Sequence, residues 1–153
     1  MKIRIEMDSA LTEDEIIFHC HELTEEILKL QKVITESISE QKNLILKKQG
    51  TEYFIPLEQI LFFETDAKII YAHTSDNMYE TDYKLYELEC LLPGFFMRIS
   101  KSAIVNTKMI YSITRNLTAS STIEFSGTPK QVYVSRQYYK LLMERLNEHR
   151  THQ

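Results

Sequence analysis

The stretch "MRISKSAIVN", residues 97–106, decides how the chain is read. As one continuous strand it would place Met97, Ile99, Lys101, Ala103 and Val105 on a single face. That face is apolar except for the lysine at its centre. Burying an unpaired ammonium costs several kcal/mol, so the spacing predicts that the strand breaks around Ser100-Lys101-Ser102. The break presents Arg-Ile-Ser-Lys-Ser, with no acidic residue beside it, between two apolar strand halves.

Short strands of the same kind surround it. "LILKK", a turn at Gln49-Gly50, "EYFIP", "ILFFE" and "KIIYAHT" precede it, with turns at "TDAK" (residues 65–68) and "SDN" (residues 75–77). "MYET" and a short helix "YKLYELECLL" follow; Asp82 is positioned to cap that helix and Pro93-Gly94 to stop it. After residue 106 come "MIYSITR", "STIEF" and "QVYV", then a final helix with Ser135 as its expected cap and Tyr138, Leu142 and Leu146 on its apolar stripe. Many short strands at regular spacing indicate a mainly β domain, not a βαβ fold.

Residues 1–42 read as a separate strand-strand-helix extension and residues 43–153 as the main domain. "KIRIEM" and "DEIIFHC" alternate as strands. Thr24 caps a helix with Glu25 and Glu26 in its first turn, where the helix dipole favours anions. Leu23 and Leu28 stand at the positions of a hydrophobic staple, and Leu23, Ile27, Leu30, Ile34 and Ile38 recur on one helical face. That face is expected to be covered by the rest of the chain or by a second copy.

The bulk numbers exclude several classes. At 153 residues, 43% hydrophobic, the chain suits one domain with a small accessory segment. No apolar run approaches the roughly 18 residues of a membrane span, and the N-terminus lacks a signal-peptide core, so a cytoplasmic location is expected. Cys20 and Cys90 are few and distant, which points to ordinary buried thiols and not to a disulfide framework. The net charge of −4 hides an asymmetry. Residues 50–95 carry two basic and nine acidic side chains, whereas residues 96–153 carry nine and three. Such a basic segment on an acidic chain is what an anion-binding surface requires.

Reactive constellations are missing. With three glycines, far apart, there is no phosphate-cradling loop. His19-Cys20-His21 is the nearest thing to a metal cluster, but on a strand its two histidines face away from the cysteine, so a structural role is expected and no metal or cofactor. Nothing argues for an enzyme.

Three loops nevertheless carry cationic or hydroxyl residues between apolar strands. The first holds Lys68, the lone base of the acidic run from residue 50 to 83. The second holds Arg98, Ser100, Lys101 and Ser102. In the third, Arg136 opens the last helix, where the dipole opposes a cation; its gain must come from elsewhere, such as a phosphate or a base edge.

From about residue 43 to 146 these features resemble the LytTR DNA-binding domain of bacterial transcription regulators. "EYFIPLEQILFFE" and "AKIIYAHT" match its opening strands and "YKLYELECLLP" its short helix. "FFMRISKSAIVNTKMIYSI" matches its central signature and "KQVYVSRQYYKLL" its closing strand and helix. The resemblance implies an elongated fold of stacked antiparallel sheets whose loops, and not a recognition helix, enter successive major grooves of double-stranded DNA. By position, Lys68, Lys101 and Arg136 would each sit in one DNA-facing loop, able to donate to guanine O6 and N7. Ser100 and Ser102 would hold phosphate oxygens, and Arg98, Asn106 and Ser135 complete the implied DNA-binding set.

Serine at 100, lysine at 101 and alanine at 103 depart from the histidine, arginine or asparagine, and aromatic residue common at those places, which bears on base preference. Most members carry a receiver domain ahead of this one, and forty residues cannot build it. Stand-alone regulators of this length are often paired with a small membrane protein that restrains them, and family sites are repeated along the promoter. The resemblance therefore implies promoter repeats and a restraining membrane protein as partners, and leaves open whether the free protein is a monomer or a homodimer. The rival reading is a protein-interaction module that never touches DNA and docks through the acidic middle and the first helix.

Overall fold

A computed structural model of the chain describes residues 1–38 and 43–151. It separates into two compact units, residues 1–39 and 40–153.

In the first unit the only regular element among the described residues is α1, Glu25–Ile38. Thr24 starts it as expected: its Oγ1 accepts from the Ile27 N–H at 3.3 Å and its carbonyl from the Leu28 N–H at 3.0 Å. Ile27, Leu30 and Ile34 form the half-buried face, whereas Leu23 and Leu28 are exposed, so the staple does not close. The two strands expected before it are absent. Ile3, Ile5 and Met7 stand in solvent. A two-stranded hairpin with no third strand or packed face is at best marginal in water, and alternation alone supplied neither.

Among its described residues the second unit holds ten strands, two α-helices and two short 3-10 turns. The strands and α-helices follow as β1 (Asn43–Lys48), β2 (Thr51–Pro56), β3 (Phe62–Asp66), β4 (Ile69–His73), β5 (Met78–Thr81) and α2 (Leu85–Leu91). Then come β6 (Phe96–Ser100), β7 (Ala103–Asn106), β8 (Ile110–Thr114), β9 (Ser121–Phe125), β10 (Gln131–Val134) and α3 (Arg136–Thr151). One seven-stranded sheet has the order β2-β1-β5-β4-β3-β7-β6, and a three-stranded sheet the order β10-β9-β8; every pairing is antiparallel.

The large sheet is apolar on both faces where β3, β7 and β6 meet. Phe63, Ile104 and Phe96 join Leu44, Leu46, Ala72 and the α2 residues Leu85 and Leu88 in one core. Phe62, Val105, Ala103 and Ile99 belong to a second core with Ile123 and Phe125 of β9, Val132 and Val134 of β10 and Leu142 of α3. Consecutive residues thus point into different cores, and all four residues of β7 are buried. Full burial of a large apolar side chain is worth about 1.5–3 kcal/mol. A one-residue slip of β7 would carry Ile104 and Val105 each into the wrong core, so the register is fixed.

Helix boundaries follow local hydrogen bonding more than the sequence suggested. Asp82 does not cap α2. It pairs with Lys47 at 2.5 Å, and the helix starts later, where the Glu87 carboxylate accepts from the Lys84 N–H at 3.1 Å. Ser135 does not cap α3 through its side chain either. Its backbone carbonyl accepts from Tyr138 and Tyr139, and its buried Oγ has no partner. Both cysteines are free and exposed, not buried; Cys90 lies on the side of α2 away from Leu85 and Leu88.

The hairpin turns are tight. Lys48 pairs with Thr51 and Asp66 with Ile69, leaving two-residue turns at Gln49-Gly50 and Ala67-Lys68. All four turn residues have positive φ: 51° and 77° in the first, 46° and 72° in the second. This is the primed geometry that matches strand twist, but only the first turn has the glycine that suits it. Ala67 and Lys68 carry left-handed strain.

The end of the domain opposite to that second turn is tied by a lysine. Lys130, in the turn after β9, donates to the Asn77 carbonyl at 2.6 Å and lies 3.4 Å from His73 Nδ1. Thr128 Oγ1 reaches the Ser75 carbonyl at 2.8 Å. His73 stacks on Phe62, with ring centroids 4.3 Å apart. Burial, and secondly the Lys130 charge, lower its pKa to about 4.

Two outcomes follow. Lys68→Gly should raise stability by about 0.5–1 kcal/mol by relieving the turn, read as a higher urea midpoint with unchanged slope. His73 is neutral in the fold, and its folded pKa lies below its unfolded one, so the unfolded chain takes the proton first. Stability from this group is complete above about pH 6.5 and falls as pH drops toward 4. For a partly solvated ring the loss should be on the order of 1 kcal/mol. His73→Phe should flatten that part of the pH–midpoint curve relative to wild type.

Candidate nucleic-acid interface

The β6–β7 hairpin answers the question set by residues 97–106. Ser100 pairs with Ala103, so Lys101 and Ser102 form an exposed two-residue turn, and the lysine never meets the core. The ladder shifts between Arg98 and Ser100. This bulge leaves the Ile99 side chain fully buried while its carbonyl accepts from the Ser135 N–H at 2.9 Å.

That bond and one other gather the three expected loops at one end of the domain. The Thr65 N–H donates to the Ser102 carbonyl at 2.8 Å, joining the β3–β4 turn of Lys68 to the Lys101-Ser102 turn. The Ser135–Ile99 bond joins the β6–β7 hairpin to the start of α3. Arg136, exposed at that start, donates through Nη2 to the Thr118 carbonyl, which brings in the loop between β8 and β9. Lys68, Lys101, Ser102 and Arg136 are therefore exposed on adjoining turns.

The other expected residues are placed differently. Asn106 lies at the far end of β7, 1% exposed; its Nδ2 donates to the Ile60 carbonyl at 2.9 Å and its Oδ1 accepts from the Lys108 N–H at 3.1 Å. An amide so occupied is a strut for the chain between β7 and β8, and it leaves the candidate set. Ser135 contributes its backbone and not its hydroxyl. Arg98 is half-buried and turned inward: Nε donates to the Ser100 carbonyl at 2.6 Å, Nη2 to the Lys101 carbonyl at 2.5 Å, and Nη1 to Glu89 of α2. Ser100 Oγ accepts from the Ser102 N–H at 3.1 Å and lies 3.3 Å from Ser102 Oγ.

Sequence reading missed Arg115. It follows β8 at the same end, exposed, with its guanidinium 5.3 Å from the Tyr139 ring. A cation directly followed by Asn116 at a strand end was the available signal. The end also carries acidic groups. The Glu64 carboxyl is held above the usual range, first by partial burial and then by the neighbouring Asp66. An anion approaching Lys68 thus passes next to two carboxylates, so the positive field is local to the turns.

No α-helix is followed directly by another, so there is no helix-turn-helix among the described residues. What it offers is a row of hydroxyls, ammonium groups and two guanidinium groups on short connections held by two buried cores.

Comparison with known proteins agrees with the fold. The profile of the LytTr DNA-binding domain matches residues 50–147. A protein of Staphylococcus aureus (strain MSSA476), described as an uncharacterized HTH-type transcriptional regulator, is 27% identical over 148 residues, covering 96% of this chain and 99% of its own. A protein of the same description from strain MRSA252 is 26% identical over the same coverage. So long an alignment takes in most of the segment that precedes the matched domain. A solved LytTr DNA-binding domain from Bacillus cereus superposes with a TM-score of 0.61 at 25% identity, covering 69% of this chain and 96% of that one. The profile spans well over half of the residues, and the chain belongs to the LytTr DNA-binding domain family, a DNA-binding and non-enzymatic one.

Proposed function

We propose that this chain is a sequence-specific transcription regulator, acting in the cytoplasm, that presents the β3–β4 turn, the β6–β7 turn and the start of α3 to major grooves of double-stranded DNA. The observation that carries the reading is the convergence of Lys68, Lys101 and Arg136 on adjoining turns through the Thr65–Ser102 and Ser135–Ile99 hydrogen bonds. Each cation has the length and the donors to reach guanine O6 and N7. Ser102 and Ser100 lie beside Lys101 and suit phosphate oxygens. The regulator descriptions of the staphylococcal relatives support the same reading. In it α1, with Ile27, Leu30 and Ile34 on one face, is the element offered to a second protomer on repeated promoter sites or to a small restraining membrane protein.

The test is selection of preferred duplexes from a random-sequence library, followed by anisotropy titrations over a salt series. Log affinity should fall against log salt with a slope of about −0.9 per phosphate neutralised. A docking module would enrich no sequence and show no such slope.

On the selected duplex, Lys101→Ala and Arg136→Ala should each lose about 1–3 kcal/mol while binding to a scrambled duplex changes little. Equal loss on both duplexes would make the residue a phosphate contact. Lys68→Gly should weaken binding to the selected duplex in a protein that is more stable than wild type, which separates recognition from folding.

A further inference from the structure

The Lys101-Ser102 turn is built unlike the other two-residue turns. Gln49-Gly50 and Ala67-Lys68 have positive φ at both positions, whereas Lys101 and Ser102 have none. A turn without positive φ does not match the right-handed twist of the strands that flank it, and this one has no glycine to help. It also follows a bulge, which bends the ladder further. Something other than local backbone preference has to set its shape.

We propose that Arg98 is a positioning residue that fixes the Lys101-Ser102 turn in its DNA-reading shape, with Glu89 of α2 fixing Arg98; this rests on the DNA reading above. The guanidinium bridges two successive turn carbonyls, Ser100 O and Lys101 O, through Nε and Nη2, and its remaining edge meets the Glu89 carboxylate. A planar fork can hold two acceptors in fixed relation in a way that a single ammonium cannot. The bridge clamps the peptide units on both sides of the Lys101 Cα, so it sets where the Lys101 side chain points.

Glu89 does the same for the guanidinium. The Arg98 side chain is 21% exposed and that of Glu89 43%, so the guanidinium is the more sheltered partner of the pair. Two further backbone groups of the turn are tied as well, Ser102 N–H to Ser100 Oγ and Ser102 O to Thr65 N–H. With its fork spent on protein carbonyls, Arg98 is not itself a groove or phosphate contact, although sequence position suggested that it would be. The helix α2, which reaches none of the turns by its own backbone, becomes part of recognition through this one carboxylate.

The test uses the full chain, a duplex recovered from the random library and a scrambled duplex of the same composition. Arg98→Lys keeps the charge and removes the fork. It should weaken the selected duplex about tenfold, leave the scrambled duplex within twofold, and leave the salt slope unchanged. Combined with Lys101→Ala it should add almost nothing to the loss of Lys101→Ala alone, because both act through the same side chain. Glu89→Gln, on an exposed side chain, should give a smaller loss in the same ratio and also serves if Arg98→Lys melts below the assay temperature.

A salt slope shallower by about one in Arg98→Ala, with equal loss on both duplexes, would make Arg98 a phosphate contact and overturn the proposal. So would Arg98→Lys and Glu89→Gln that lower the melting temperature without changing the ratio of selected to scrambled binding, and so would losses that add fully to that of Lys101→Ala. Wild-type protein with no preference for any duplex would sink the DNA reading itself, an outcome distinct from all of these.

Discussion

The fold depends on burial of the β3, β7 and β6 strands on both faces. Phe62 and Phe63, or Ile104 and Val105, are adjacent in sequence and sit in different cores. Where both faces are apolar these strands have no polar face, and β3 and β7 are paired on both sides, so the ladder consumes their backbone groups. The exposed cations Lys68 and Lys101 accordingly sit on the turns. The turns, in turn, can tolerate strain of about 1–3 kcal/mol per awkward residue, because each large side chain anchored beneath them contributes a comparable amount. Double-sided burial therefore both exposes the cations and holds the turns that carry them.

The two ends of the domain use this constraint differently. At one end Lys68, Lys101, Arg115 and Arg136 reach outward from turns joined by single backbone hydrogen bonds. At the other, Lys130 is turned inward onto Asn77 and His73, and Lys48 donates to the Asn77 side chain at 2.9 Å. Lys130 links the small sheet to the large one, Lys48 ties two parts of the large sheet, and both are spent on protein acceptors. Segment charge alone could not separate these two uses, since Lys130 and Arg136 stand six residues apart in the same basic third of the chain.

Much of the β domain was legible from residue pattern. The break at Ser100-Lys101-Ser102 was legible because a buried lysine is too costly, and the Gln49-Gly50 turn because glycine suits positive φ. What was not legible depended on partners distant in sequence. Asp82 is used by Lys47, which alternation cannot reveal, and the helix cap passes to Glu87. Ser135 has the residue type of a cap, yet its backbone is drawn to Ile99. The N-terminal strands failed for the opposite reason: period-two alternation was present, but no third strand or packed face was there to bury it. Among the candidate site residues, exposure sorted what spacing could not. Asn106 and Arg98 lie in the same signature as Lys101, and only their hydrogen bonds show that one is a strut and the other is turned onto the turn's own carbonyls.

If cations on three adjoining turns read guanine edges in the major groove, as proposed, methylation of guanine N7 should interfere with binding. A selected duplex is lightly methylated at guanine N7, bound by the protein, and the bound and free fractions are cleaved and compared. Interference is expected at a few guanines grouped in clusters about one helical turn, ~10 base pairs, apart, because N7 is the acceptor a lysine or arginine would use. Binding that ignores N7 methylation everywhere in a duplex the protein still prefers would contradict major-groove reading by these turns.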